Sequence, residues 1–299
     1  MKLVEVRQKF LNHLAGERGL AEHTLANYGR VLKHDIAFFA EQGLDEIAAV
    51  GVTQFERLFI NWRRQGLGDA SLALRLAAWR TCFDYCIRQG WRHDNPARQT
   101  KAPKTAKRLP KNLDVDSISQ LLNLPADDDL AIRDAAIMEL LYGSGLRLAE
   151  LVALDIDGIN PRHQELRVLG KGGKTRIVPY GRCAAEALKK WLPVRNKWLH
   201  GNLNEVALFI SQRQRRISPR TVQQRLNHWG RQQGLNGSLH PHKLRHSFAS
   251  HMLESSGDLR AVQELLGHAN LSTTQVYTHL DFQHLAKVYD AAHPRARKK

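Results

Sequence analysis

HPHKLRHSFASHML, residues 240–253, reads as the opening and body of one helix. Pro241 suits the first helical position, where its missing N–H is one the helix leaves unpaired anyway. Leu244, Phe248 and Met252 are spaced by four and form a ridge that must pack inward. His242 and Arg245, three apart on a neighbouring face, point at one spot. A metal reading is open as well, because His242 and His246 are four apart with His240 and His251 near. Arg245 between them and the lack of an adjacent carboxylate count against it.

Downstream, LLGHANLSTTQVYTHL (265–280) places His268 just after Gly267, a glycine suited to ending a helix. Ser272 or Thr273 is positioned to cap the next helix, with Tyr277 about one turn in and Leu280 as its anchor. Taken alone, Tyr277 is an ordinary half-buried packing residue.

Upstream, GSGLRLAEL (143–151) predicts a short helix from Leu146 to Leu154, with Arg147 in its first turn. A cation there meets the positive helix end at a cost of a few tenths to ~1 kcal/mol. A bound anion would remove that cost, and so would an ion pair with Glu150 one turn on; the two readings stand level. QELRVLG (164–170) and TRIVPYG (175–181) alternate around KGGK and predict a β-hairpin with Lys171 at its tip. There Lys171 is either an exposed turn lysine or a cation able to give a proton to a leaving oxygen.

The remainder is helical. Asp114 caps VDSISQLLNL, IRDAAIMELLYG stops at the Gly143 and Gly145 pair, and two further helices run from Ala184 to Leu199 and from Ser218 to Gln233. Residues 1–100 show helical spacing broken at Gly19, Gly43, Gly66 and Gly90, which predicts a bundle of four or five short helices. Arg57, Arg63, Arg64, Arg75 and Arg80 cluster on its third and fourth helices, as a solvated face or as a face turned to a groove. Between the halves, residues 101–112 carry five Lys and Arg and no acid, among three prolines in NPARQTKAPKTAKRLPKN (95–112). That composition predicts an extended basic linker, better suited to lying along phosphates than to an inert spacer.

A chain of 299 residues, 42% hydrophobic, suits two domains with separate cores. The net charge of +16, with a pI near 10.1, favours capture of a polyanion. Cys82, Cys86 and Cys183 form no CxxC pair, so no disulfide framework or zinc knuckle is expected. The mixed charges of MKLVEVRQKFLNHLAGE argue against a signal peptide, and a cytoplasmic location is expected. Together, Arg147, Lys171, His242, Arg245, His268 and Tyr277 read as cations around one phenol. Such a set suits phosphoryl transfer with a protein nucleophile, on nucleic acid.

These segments resemble the tyrosine recombinase (phage-integrase type) family. GLRLAEL looks like its first arginine motif, LGKGGKTR like its hairpin lysine motif, HKLRHSFASHML like its His-x-x-Arg motif, and LGHANLSTTQVYTH like its closing histidine and tyrosine motif. The final stretch is similar to bacterial Xer recombinases of the C-type. The resemblance implies a mainly α (α+β) chain, with a helical DNA-binding bundle at 1–100, the linker at 101–112, and a catalytic domain with a small antiparallel sheet at 113–299. Together these form a C-shaped DNA clamp, with a tail after Tyr277 that docks into a neighbouring subunit.

It also implies that Tyr277 attacks the scissile phosphate while Arg147, Arg245 and His268 hold its oxygens, Lys171 protonates the leaving oxygen and His242 assists. No cofactor and no metal are expected. The expected partners are a short two-half-site DNA duplex and a D-type Xer recombinase in a heterotetramer, with room for a cell-division DNA translocase. An integrase of a mobile element and a non-enzymatic architectural DNA-binding protein are the alternatives.

Overall fold

The computed structural model describes residues 1–16, 22–102, 112–125, 127–170, 173, 175–202, 204–235, 237–267 and 279–296. The chain divides into two compact units, Met1–Arg108 and Leu109–Lys299.

Four α-helices build the described part of the first unit: α1 (Leu3–Gly16), α2 (Glu22–Ala40), α3 (Val52–Arg64) and α4 (Asp69–Arg88), with short 3-10 turns at Ile47–Ala49 and Pro96–Arg98. Its core is aromatic. Phe55 lies at the centre, with Trp62, Trp79 and Phe83 packed around it at ring distances of 5.9, 6.0 and 5.8 Å. Edge-on contacts of this kind add about 0.5–1.5 kcal/mol each beyond the area they bury. The indole N–H groups cannot be left unpaired in such a core, and α2 supplies their acceptor. Asp35, fully buried, accepts from Trp62 Nε1 at 2.9 Å, Trp79 Nε1 at 2.8 Å and Arg75 Nη1 at 2.6 Å. Arg80 donates to the carbonyls of Ala97 and Thr100. Two of the five clustered arginines are therefore structural, while Arg57, Arg63 and Arg64 are exposed.

The second unit begins with α5 (Val115–Leu122), capped as expected by Asp114, whose carboxylate accepts from Ser117 N at 2.7 Å. Next come α6 (Asp129–Gly143) and α7 (Leu148–Ala153). The helix α6 starts three residues before the apolar run that revealed it, because Asp128 caps it by accepting from Ala131 N. Leu140, Leu141 and Tyr142 are fully buried, as on a helix enclosed on all sides.

A sheet of three antiparallel strands follows, β1 (Ile159–Asn160), β2 (Glu165–Leu169) and β3 (Thr175–Pro179), in the order β1-β2-β3. Five cross-strand pairs from Glu165↔Pro179 to Leu169↔Thr175 form the expected hairpin. The two-residue β1 is too short to show any alternation in the sequence. Then come α8 (Arg182–Leu199), α9 (Pro219–Gln232), α10 (Pro241–Ser256), α11 (Leu259–Leu266) and α12 (His279–Ala292).

The described end of the chain packs on its own unit. Leu285 and Tyr289 are buried in the same core as α6, Tyr289 Oη donates to Gly143 O at 2.7 Å, and Arg295 forks onto Glu139. His293 stacks on Tyr289 and touches the rings of Tyr142 and Phe248. Burial, with Arg295 adding repulsion, drops its pKa to about 3. Among the described residues no helix is long and apolar enough to cross a membrane.

Candidate active site

Leu244, Phe248 and Met252 are all fully buried, so α10 sits in the core by the ridge its spacing predicts. That ridge determines where the polar faces of the helix go. His242 is exposed in the first turn, and Arg245 leans back toward the start of α7. Its guanidinium donates to the carbonyls of Gly145 and Leu266, the latter at 2.7 Å.

The turn before α7 brings the second arginine to it. Gly145 has φ +57, and a side chain on it would place a Cβ 2.5 Å from the ring of Phe248. Only glycine permits this crossing of backbone over α10. The helix then opens at Leu148 rather than Leu146, which makes Arg147 its N-cap and not a first-turn residue. Glu150 in the first turn reaches back, accepting from Arg147 N at 2.8 Å and from Arg147 Nη1 at 2.8 Å. The carboxylate reaching back to the cap N–H makes Leu148 the first helical residue. The ion pair with Glu150 therefore forms, yet it does not use up the guanidinium: Arg147 is 37% exposed and its Nη2 also donates to Gly267 O at 3.2 Å.

Glu150 has a further partner that sequence reasoning missed. Arg176, on β3, forks onto both carboxylate oxygens at 2.8 and 3.0 Å. Arg245 lies 4.0 Å from the same carboxylate. Three guanidiniums thus surround one carboxylate, leaving a surplus of positive charge. Burial alone would raise the pKa of Glu150, but Arg176 and Arg147 outweigh it and hold the carboxyl below its ordinary value. Burial, followed by repulsion from Arg147, brings Arg245 down to about 10, so it stays charged at neutral pH. Glu150 offsets one of the three positive charges, and fixed guanidinium donors of this kind stabilise charge that develops on phosphate oxygens.

The signal for Arg176 lay in the strand's alternation. Val178, two residues on, faces the core, and Arg176 shares its face, pairing with Val168 across the hairpin. Ile177 disguised this, since an isoleucine next to an arginine looks like the inward residue, yet it is 48% exposed.

Gly267, in the left-handed conformation at φ +64, ends α11 as the sequence suggested. Lys171, His268 and Tyr277 lie outside the described residues, as does the proposed cap at Ser272 or Thr273. Two of the four histidines of the metal reading have other partners: His240 Nδ1 caps α10 by accepting from Lys243 N, and His251 Nδ1 bonds the buried Tyr142 hydroxyl at 2.9 Å. Among the described residues no group of three potential ligands gathers.

Comparison with known proteins places this arrangement. The phage integrase family model matches residues 111–284, and that of the phage integrase N-terminal SAM-like domain matches residues 8–90. Tyrosine recombinase XerC of an Escherichia coli strain is 54% identical over 291 residues, covering 97% of each chain. The XerH site-specific recombinase in a post-cleavage complex with its difH substrate matches with a TM-score of 0.69 at 21% identity, over 91% of this chain and 81% of that one. Lambda integrase bound to DNA matches with a TM-score of 0.68 at 22% identity, over 93% and 95% of the two chains. At those identities the two structures speak for the fold.

Proposed function

The chain belongs to the phage integrase family, and from that membership we propose how its residues cut and rejoin DNA. It is a site-specific tyrosine recombinase. The observation that carries the chemical reading is the meeting of Arg147 and Arg245, 98 residues apart in sequence, over one carboxylate. Two arginines held in this way suit the two non-bridging oxygens of a phosphodiester.

In the proposed reaction the Tyr277 oxygen attacks the scissile phosphorus. The bond from phosphorus to the 5′-oxygen breaks, and a 3′-phosphotyrosine forms. Lys171 supplies the proton to the leaving 5′-oxygen, Arg147, Arg245 and His268 hold the charge on the phosphoryl oxygens, and His242 assists proton transfer. A 5′-hydroxyl from a second duplex then reverses the step through a Holliday junction. The phosphotyrosine keeps the energy of the broken bond, so no ATP is required, and the guanidiniums supply the positive field that a metal would otherwise give, as in type IB topoisomerase chemistry. The five cations of the basic segment at 101–112 supply charge for the phosphates of the duplex.

Likeness to XerC supports a cellular role in resolving chromosome dimers to monomers at cell division. The partners in that role are a D-type Xer recombinase in a heterotetramer and a cell-division DNA translocase. A nicked suicide duplex of about 28 base pairs, enough for two half-sites about one turn apart, tests the chemistry. Wild-type protein is expected to form a covalent adduct in the presence of a chelator, and Tyr277→Phe to form none. An adduct that survives in Tyr277→Phe, or that a chelator abolishes, overturns the reading.

A further inference from the structure

We propose that Arg176 is a positioning residue for strand cleavage, which neutralises Glu150 so that Arg147 and Arg245 keep their charge for the phosphate; the inference rests on the recombinase reading above.

Arg176 is itself in no position to bind DNA. It is 9% exposed, faces the core side of β3, and has both terminal nitrogens engaged by Glu150. Its influence must therefore pass through that carboxylate. Glu150 has one negative charge and three guanidiniums near it. If Arg147 were its only close partner, the pair would be electrically neutral and Arg147 would be drawn from an incoming phosphate. With Arg176 carrying the neutralisation from the buried side, Arg147 keeps a bond to Glu150 for aim while its 37% exposed guanidinium retains its field.

Two further observations make the contact specific. Among the described residues Arg176 Nε is buried without a hydrogen-bond partner, so the guanidinium is held by Glu150 through its two terminal nitrogens. The guanidinium also lies against Gly267, where an added Cβ would come 3.0 Å from Nε and 3.1 Å from Cζ. Gly267 is the cap of α11 and its carbonyl accepts from Arg147. Arg176 thus ties three pieces together: strand β3, the start of α7, and the end of α11 at Gly267.

The test uses the full chain and the nicked suicide duplex. Cleavage at saturating protein and half-site binding are measured for Arg176→Met, Arg176→Lys, and the charge-balanced double variant Arg176→Met with Glu150→Gln. Loss of one fixed donor to a developing oxyanion slows reaction about a hundredfold or more, and Arg176→Met is expected to slow adduct formation on that scale with half-site binding within about threefold of wild type. The double variant is expected to cleave about tenfold faster than Arg176→Met, because removing the carboxylate's charge releases Arg147. Arg176→Lys, which keeps the charge but not the fork, is expected to fall between wild type and Arg176→Met, and decides the matter if Arg176→Met does not fold. Arg176→Met cleaving at the wild-type rate, a double variant slower than the single, or Arg176→Lys no better than Arg176→Met overturns the inference. Failure of the wild-type chain to form an adduct would instead count against the recombinase reading.

Discussion

Replacing Gly145 by alanine separates two physical costs at the turn that aims Arg147. The first is conformational: at φ +57 a side chain meets its own backbone, for about 1 kcal/mol. The second is steric. The new methyl would sit 2.5 and 2.7 Å from two ring atoms of Phe248 and 3.1 Å from Leu266 Cδ2. Phe248 is fully buried in the α10 ridge and has no open space to move into, so overpacking adds about 1–3 kcal/mol. A total near 3 kcal/mol lowers the melting temperature by about 6–12 °C for a unit of this size. Gly257→Ala is the control. Its φ is +65 and nothing lies within 4 Å of the added methyl, so strain alone applies and the shift is about 2–4 °C. Calorimetry of the full-length variants measures both. Because Gly145 O accepts from Arg245, cleavage at 25 °C by Gly145→Ala should also fall more than tenfold while Gly257→Ala cleaves normally. Equal melting shifts for the two variants would refute the packing argument, and normal cleavage by Gly145→Ala would refute the claim that this turn sets the arginine pair.

Two other predictions concern charge. His293 has a pKa of about 3 in the folded chain against an ordinary 6.5, so between those values the unfolded chain takes up a proton that the folded chain refuses. Its contribution is complete above pH 6.5 and is lost as the pH falls toward 3, at up to ~1.4 kcal/mol per pH unit. His293→Asn, which does not titrate, should flatten the dependence of urea stability on pH between 4 and 6, and an unchanged slope would refute the assignment. In the linker, changing Lys104, Lys107, Arg108 and Lys111 to glutamine should reduce the slope of log binding constant against log salt by up to about 3.6 for duplex DNA. An unaltered slope would mean that these residues do not lie on phosphates.

Most helices were legible because their cues are local. Asp114 as a cap, Pro241 at the first helical position, Gly267 as a terminator and the Leu244–Phe248–Met252 ridge each depend on neighbours within a turn or two, and the structure uses all of them in that way. Boundaries drifted where a cap outranked the apolar period, as at Asp128 and Arg147. Which arginines are buried was hard to read: the alternation of β3 carried a signal for Arg176, but Ile177 masked it, and nothing local marked Arg75. Arg75, bonded to Asp35, has the same sequence appearance as the exposed Arg57 and Arg63.

By itself the sequence determined the mainly helical fold class with its hairpin, the placing of His242 and Arg245 on one helix, and the surplus of positive charge. These follow from side-chain period, chain stiffness at proline and glycine, and simple counting, all of which act over short distances. The tertiary structure decided which cations share a counterion. Glu150 could have served Arg147 alone, but folding brings β3 and α10 to the same carboxylate. A buried charge must collect its partners from wherever the packed core delivers them, and no spacing along the chain encodes that convergence.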